Sequence, residues 1–239
     1  KLQTFSWWLA PWYGIIAIGV VMTITSLAGV PGRYAAPALT VILLGLSIRA
    51  WFKMPRYQIK FWRDILLTGV MLASIFVNQS PLVKSQKLLT LVSLGNNDAL
   101  VYASGADYLR DHTLLENLVI DRQEEAYDYV GVKNLIQNPY RWGTPTIFSY
   151  FTTMLGLEGY QLAYTLQVIL FGLTIPMGYV LFSIIFGAES IIGLLLTTGL
   201  LSLNAHLLYM LYHNFAGQVL FWGIELFFLI HILPYLTKD

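Results

Sequence analysis

The sequence predicts an all-α protein: a polytopic transmembrane helix bundle of about six spans, with a helical extracytoplasmic loop that bears amphipathic interfacial helices. Hydrophobic residues make up 56% of the chain and charged residues 11%, and the mean hydropathy is +0.62, which is unusual for a soluble globular protein. Two long stretches, 65–77 and 160–188, contain no charged residue. Apolar runs recur at the length of about 20 residues that a helix needs to cross a ~30 Å hydrocarbon core.

The apolar runs define the spans, which are 6–30, 35–52, 62–78, 160–186, 189–209 and 214–236. Turn-forming or polar residues separate them, at Pro31-Gly32, Pro55, Gly187 and His213-Asn214. The first run is too long and too aromatic for a signal peptide, so it is predicted to span the membrane. Pro176 lies inside the fourth span, where a kink is tolerated if a neighbouring helix satisfies the freed carbonyl.

The chain therefore divides into three parts. Residues 1–78 hold three transmembrane helices, 79–143 form the loop, and 144–239 hold a short re-entrant helix and three more transmembrane helices. Residue 1 is lysine rather than methionine, and we expect the chain to be a fragment of a longer protein.

The basic residues predict the orientation. The connection around 53–61 carries five of them against one acid: Arg49, Lys53, Arg56, Lys60 and Arg63 against Asp64. Such a connection stays cytoplasmic in a multi-pass protein of the cell membrane. Loop 79–143 then lies outside the cytoplasm, and it holds eight acidic and six basic residues.

Three helices are predicted in and after this loop. Segment 82–94 has the pattern of an amphipathic helix at the interface, with Lys84 and Lys87 on its wet side. Segment 98–112 is a second helix. Segment 144–155 is apolar but too short to cross the membrane, so it is re-entrant or lies on the surface.

Composition limits the partners. A net charge of +1 excludes a polyelectrolyte partner such as nucleic acid, and the absence of cysteine excludes disulfides and thiolate chemistry. The expected environment is membrane lipid. No cofactor is expected, although a divalent cation on Asp98 and a second acid is an alternative, held back because no Asp-x-Asp pair occurs.

Asp98 is the first candidate for chemistry. At ~100° per residue it shares a helical face with Tyr102, whereas Asp107 points to the opposite side. A carboxylate beside a phenol could line a cleft. Equally, Asn96 or Asn97 could cap the helix and Asp98 could simply complement its dipole, and both interpretations stay open. The spacing of Asp107, Arg110 and Asp111 predicts a local ion pair on a solvated face.

A second polar cluster follows the fifth span, on the same side of the membrane: Asn204, His206, Tyr209, Tyr212, His213, Asn214 and Gln218. These side chains could hydrogen-bond a sugar or a phosphate, or they could satisfy backbone groups at a turn. Arg141 could bind phosphate through two hydrogen bonds or snorkel at the interface. Glu225 lies in the middle of the last span, where an ionisable residue is either functional or hydrogen-bonded between helices.

Three segments together resemble the GT-C glycosyltransferases, a superfamily that includes protein O-mannosyltransferases, aminoarabinose transferases and arabinosyltransferases. Asn97-Asp98-(x)3-Tyr102-(x)3-Ala106-Asp107 looks like their first-loop acidic motif. The run from Arg141 through Pro145 resembles the Arg-x-x-x-Pro segment that leads into their next helix, and 204–218 is similar to their fourth-helix region. The resemblance covers roughly 61–236. Three spans precede the loop here, whereas the family places it after the first.

The resemblance implies a function. A polyprenyl-phosphate-linked sugar donor enters from the outer leaflet, and an acceptor of unknown identity binds in the extracytoplasmic cavity. By position, Asp98 inherits the role of general base, which must lie within hydrogen-bond reach of the acceptor hydroxyl. The resemblance implies that Asn97, Tyr102, Asp107, Arg141, His213 and Gln218 bind substrate.

Two other functions remain open. The chain could be a non-catalytic integral subunit of a larger complex with other membrane subunits, binding pigment or haem through His206, His213 or His231, and a visible absorption spectrum tests this. It could instead be a transporter with Glu225 as a coupling residue, although no paired repeat supports this.

Overall fold

The structure, a computed structural model, describes residues 5–53, 60–84, 98–116, 132, 142–187, 189–213 and 215–236. Within these ranges the regular secondary structure is helical, which confirms the predicted all-α class. The helices are α1 (Ser6–Leu27), α2 (Gly32–Lys53), α3 (Phe61–Lys84), α4 (Asp98–Asp111), α5 (Gly143–Leu155), α6 (Gly159–Phe186), α7 (Ile191–Ser202), α8 (Ala205–Tyr212) and α9 (Ala216–Leu236).

Five helices of the described part are long and apolar enough to cross a membrane: α1, α2, α3, α6 and α9. The pair α7 and α8 passes the same criteria as one span bent by 41°. The count of five or six agrees with the prediction of about six. By length and composition, the chain is a multi-pass membrane protein built as a helix bundle.

The fifth predicted span, 189–209, is broken rather than continuous. Ser190 accepts a hydrogen bond from the Gly193 N–H and begins α7, which ends at Ser202. The Asn204 Oδ1 then accepts hydrogen bonds from the backbone N–H groups of His206 and Leu207, both at 3.0 Å, and α8 begins there. An asparagine that caps a new helix marks the end of the preceding one, which is why this predicted span contains two helices.

Helix α6 is the most buried of the long helices, and it packs against α9, α3, α7 and α4. Its Pro176 removes one backbone donor and leaves the Gly172 carbonyl without its helical partner. Trp12 of α1 donates its indole N–H to the next carbonyl, that of Leu173, at 3.2 Å. The same indole lies against Gly223 of α9, where an added Cβ would come within 1.8 Å of the ring. Trp12 therefore joins α1, α6 and α9 beside the proline.

Helix α5 is buried within the bundle, and the two predicted placements of 144–155, re-entrant or on the membrane surface, stay predictions. Every residue from Thr144 to Tyr150 is buried, because α1, α2, α4 and α6 surround the helix. Thr40 and Tyr150 share a hydrogen bond of 2.8 Å between α2 and α5. At 1.5 Å per residue, the 13 residues of α5 span about 20 Å, less than a full crossing.

The predicted interfacial helix 82–94 overlaps the end of α3, which runs to Lys84. Residues 82–84 thus continue the third long helix. The remainder of that segment, 85–94, lies outside the described residues.

Charged side chains gather at the end of the bundle where α3 and α7 begin. The Arg63 side chain is 6% exposed and pairs with Asp64 at 2.9 Å and Glu189 at 3.1 Å. Lys60 also binds Glu189, at 2.7 Å. Burial raises the pKa of the Glu189 carboxyl, but the Lys60 hydrogen bond and the charges of Lys60 and Arg63 outweigh it and hold the pKa below 4.5. These contacts join the start of α3 to the α6–α7 connection.

Candidate functional site at the α4 end of the bundle

Helix α4 confirms the helix predicted over 98–112, and it lies across the opposite end of the bundle from Glu189. It packs mainly against α5 and α6, with further contacts to α2 and α9. Its buried face includes Tyr102, Ala103, Ala106 and Leu109. Small residues on this face let α4 approach α6 closely: an added Cβ on Gly159 would lie 2.2 Å from the Ala103 carbonyl oxygen.

Tyr102, Thr144 and Gly217 meet at this end, although they come from three distant parts of the chain. A Cβ added to Gly217 would lie 2.8 Å from the Tyr102 hydroxyl oxygen and 3.5 Å from the Thr144 hydroxyl oxygen. Tyr102 itself is buried, at 5% exposure. The start of α5 and the start of α9 thus converge on one side of α4.

Asp98 is the first residue of α4, one helical turn before Tyr102. Its backbone position agrees with the predicted helix start, and at ~100° per residue it lies on the same face as Tyr102. The Asp98 side chain lies outside the described part of the structure, as do Asn97 and Arg141 entirely. Their substrate roles stay predictions. Trp142, which follows Arg141, is buried against the hydrophobic cluster of Tyr108 and Leu109.

Asp107 lies on the other side of α4 and holds the start of α6. Its Oδ1 accepts the Gly159 N–H at 2.8 Å. Glu158 also caps α6, in a reciprocal pair with Gln161. The carboxylates of Asp107 and Glu158 therefore satisfy backbone donors at the start of α6, where acids also complement the helix dipole. The observed contact of Asp107 is structural, and its role in substrate binding stays a prediction.

The ion pair predicted around Arg110 extends beyond α4. Arg110 contacts Asp111 at 3.3 Å and Glu158 at 3.4 Å, and Asp111 contacts Arg33 of α2 at 3.4 Å. Burial lowers the pKa of the Arg110 guanidinium, but the Asp111 hydrogen bond and the charges of Glu158, Asp107 and Asp111 raise it overall. These contacts connect α2, α4 and α6 in one partly exposed network.

This network borders a cavity of about 340 Å³. Its walls include Tyr108, Tyr160, Asp107, Arg110 and Glu158. At ~100° per residue, the lining residues of α4 lie on the face opposite Asp98 and Tyr102. The cavity and the Tyr102 contact are therefore on two different sides of one helix.

Asn78, near the end of α3, links three helices beneath α4. Its side-chain oxygen accepts the Tyr212 hydroxyl at 2.9 Å, and its backbone carbonyl accepts the Tyr164 hydroxyl at 3.0 Å. Gln167 of α6 donates to the Met210 and Leu211 carbonyls of α8, at 3.2 and 3.3 Å. The polar residues around 204–218 are in part structural, because these bonds fix α8 against α3 and α6.

His213 and Gln218 flank Gly217 in sequence, at the end of α8 and the start of α9. The His213 ring stacks on Tyr209, with centroids 3.9 Å apart, and its Nδ1 lies 3.0 Å from the Tyr209 carbonyl oxygen. Gln218 is exposed on the outward side of α9. Their predicted contacts to a donor sugar or phosphate stay predictions.

Glu225 is also exposed, on the side of α9 that the described bundle leaves uncovered. His231 lies on another side of α9, where it contacts Tyr13. His206 and His213 belong to the end near α4, whereas His231 lies toward the far end of α9. Within the described ranges, no group of three or more His, Asp or Glu side chains forms a metal site.

Sequence reasoning missed three residues of this region: Thr144, Glu158 and Asn78. Thr144 lies within the run from Arg141 through Pro145, and that motif is the signal that points to it. Glu158 precedes a charge-free run and is followed by glutamine three positions later, which is a capping-box pattern. No local sequence pattern indicates the role of Asn78, because its partner Tyr212 is 134 residues away.

Comparison of the chain with protein-family models, with curated proteins and with solved structures finds no match. Its function is therefore inferred from the chemistry of its residues and from the motif resemblance above.

Proposed function

We propose that this protein is a GT-C-type membrane glycosyltransferase that moves a sugar from a polyprenyl-phosphate donor to an extracytoplasmic acceptor. The observation that carries the proposal is the meeting of Tyr102, Thr144 and Gly217. Each belongs to one of the three segments that resemble this superfamily. A resemblance divided over three distant segments gains weight when those segments converge at one end of a bundle.

The proposed reaction is a single displacement at the anomeric carbon. The acceptor hydroxyl oxygen forms a bond to the anomeric carbon. The bond between the anomeric carbon and the donor phosphate oxygen breaks, and the configuration at that carbon is inverted. Asp98 takes the hydroxyl proton, and polyprenyl phosphate leaves with the bonding electron pair. General-base catalysis of this kind contributes roughly 10²–10⁴ in rate. In this proposal Arg141, His213 and Gln218 contact the donor phosphate or sugar, and Asn97 and Tyr102 line the acceptor side.

The proposed orientation puts 79–143 outside the cytoplasm and 53–61 inside. The basic residues around 53–61 favour this direction. Lys60 and Arg63 contact Glu189, which places the start of α3 and the α6–α7 connection at the same end of the bundle. The proposed acceptor site at α4 is at the opposite end. A donor in the outer leaflet would then reach α4 without crossing the bilayer.

The test is sugar transfer by the full chain in liposomes. Polyprenyl-phosphate donors carrying tritiated mannose, glucose or arabinose are supplied in turn, with membrane extract as the acceptor source. We expect label transfer from one donor, and a loss of at least about 100-fold in the Asp98→Asn variant. Helical content and melting temperature should remain unchanged in that variant.

The matched control is Asp111→Asn, the same chemical change at the other end of α4, where the side chain is 44% exposed. Its transfer rate should remain within about twofold, well short of a general-base effect. Retention of activity by Asp98→Asn would remove the role of Asp98. Failure of every donor with folded wild-type protein would count against the transferase function itself.

A further inference from the structure

The outward face of α9 has the pattern of a helix–helix interface. Five exposed residues recur at intervals of three or four along it: Phe221, Glu225, Phe228, Ile232 and Leu236. The opposite face of α9 is buried against the bundle, through Val219, Leu226 and Ile230. Intervals of three and four keep a row of residues on one side of a helix.

Glu225 is at the centre of this face and near the middle of the helix. At 1.5 Å per residue, it lies roughly 14 Å from the first residue of α9 and about 16 Å from the last. A helix that crosses a ~30 Å core thus holds this carboxyl near mid-depth. Acidic residues at such depth face other helices or water and pair with a polar group, because lipid cannot solvate them.

The helices that pack on α9 cannot supply a cationic partner at that depth. Neither α1, α5, α6, α8 nor α9 itself contains a lysine or an arginine in its sequence. Helix α4, which contains Arg110, also contacts α9, but it meets the start of that helix, where Tyr102 lies at Gly217. A second copy is a poor partner as well. Two copies inserted in the same direction would place their Glu225 residues at equal depth, where neither carboxyl offers the other a basic group.

We propose that the outward face of α9 binds a transmembrane helix of a partner protein that carries a lysine or arginine at mid-span. The basic side chain pairs with Glu225. Phe221 and Phe228, one turn on either side, cover the pair and separate it from lipid. In the hydrocarbon core, where water is absent, such a pair determines which helix binds to α9 and at what depth in the membrane.

A defined peptide tests the chemistry directly. The chain has no cysteine, so Leu203→Cys at an exposed position provides a single site for a fluorophore. The probe is a labelled leucine-rich transmembrane helix of about 22 residues, and its binding is measured in phosphatidylcholine vesicles. Three peptides are compared: one with lysine at its centre, one with lysine near its end, and one with leucine at its centre. We expect the central-lysine peptide to bind at least tenfold more tightly than the other two.

Variants of Glu225 make the test specific. Glu225→Leu should abolish the advantage of the central-lysine peptide, and Glu225→Lys should transfer the preference to a peptide with central glutamate. Both variants face away from the bundle, so their melting temperatures should match that of the wild type. The proposal is overturned by equal binding of the three peptides, or by a lysine preference that persists in Glu225→Leu. Self-association of labelled wild-type chains that Glu225→Leu removes would identify a second copy as the occupant, and would also overturn it.

Discussion

The Asp107 carboxylate accepts the Gly159 backbone N–H at 2.8 Å, and this hydrogen bond ties α4 to the first turn of α6. Gly159 also lies against the Ala103 carbonyl, one helical turn before Asp107. The two contacts fix both the distance and the rotation of α4 relative to the most buried long helix. Because α4 carries Asp98 and Tyr102, they determine where the candidate site sits on the bundle.

Removal of the Asp107 cap should destabilise the protein. We expect Asp107→Ala to lower the free energy of unfolding by about 1 kcal/mol, the usual effect of losing a side chain that caps a helix N-terminus. Thermal unfolding in detergent, followed by circular dichroism, measures the change. Asp111→Ala is the matched control, and its exposed ion pairs should contribute less than about 0.5 kcal/mol. Equal losses in the two variants would show that the Asp107 bond is not a stabilising cap.

A methyl group at Gly159 should separate α4 from α6. Gly159→Ala would put a Cβ 2.2 Å from the Ala103 carbonyl oxygen, and backbone atoms cannot move aside as a flexible side chain does. We expect a loss of roughly 1–3 kcal/mol, the usual cost of overpacking. Gly69→Ala in α3 is the control, since a Cβ there meets no atom within 4 Å. The prediction fails if the two variants melt at the same temperature.

Long-range contacts explain what the sequence could not predict about the fold. Length and hydropathy were enough for the long helices, because a membrane span must be long and apolar wherever it lies. The same criteria could not distinguish a buried α5 from a surface helix, because that depends on α1, α2 and α4 closing around it. The break at Asn204 has a local cause. The sequence leaves open whether this side chain binds a ligand or satisfies backbone groups at a turn, and the structure shows that it caps α8.

For the candidate site, the sequence predicted helix faces better than it predicted partners. The opposed directions of Tyr102 and Asp107 follow from helical geometry, and the structure has them on opposite sides of α4. The partner of Asp107 is Gly159, 52 residues away, and no local pattern indicates that pairing. For Glu225, the sequence predicts the position near the middle of the last span. It does not predict that the residue faces away from the bundle, because that depends on how α9 packs.

The hydrogen bond between Asn78 and Tyr212 should show a measurable coupling energy. A double-mutant cycle of Asn78→Leu and Tyr212→Phe, measured by unfolding in detergent, should give about 0.6 kcal/mol, the average for hydrogen bonds between membrane helices. Tyr164→Phe provides the control cycle, because Tyr164 donates to the Asn78 backbone carbonyl, which the leucine variant keeps. Coupling to Tyr164 as large as to Tyr212 would mean that the leucine displaces α3 rather than removing one bond.

Stability should depend on pH through Glu189. Its pKa in the folded protein is below the ordinary value of 4.5, since burial raises it but Lys60 and Arg63 lower it more. The ion pairs therefore stabilise the fold fully above about pH 4.5, and the contribution is lost as pH falls through the lowered folded-state pKa. Replacing the carboxylate in Glu189→Gln removes this dependence. Because the Glu189 side chain is 30% exposed, we expect a difference of only about 1 kcal/mol at pH 7.

Melting curves of wild type and Glu189→Gln from pH 7 to pH 3 measure this contribution. The gap between their melting temperatures should be constant near neutrality and should close in the acid range, because protonated Glu189 no longer pairs with buried Arg63. Asp111→Asn is the control, since its partner Arg33 has a side chain that is 51% exposed and its gap from the wild type should be small at every pH. A gap for Glu189→Gln that stays constant down to pH 3 would show that the carboxylate charge does not stabilise this end of the bundle, and that Asp64 alone compensates Arg63.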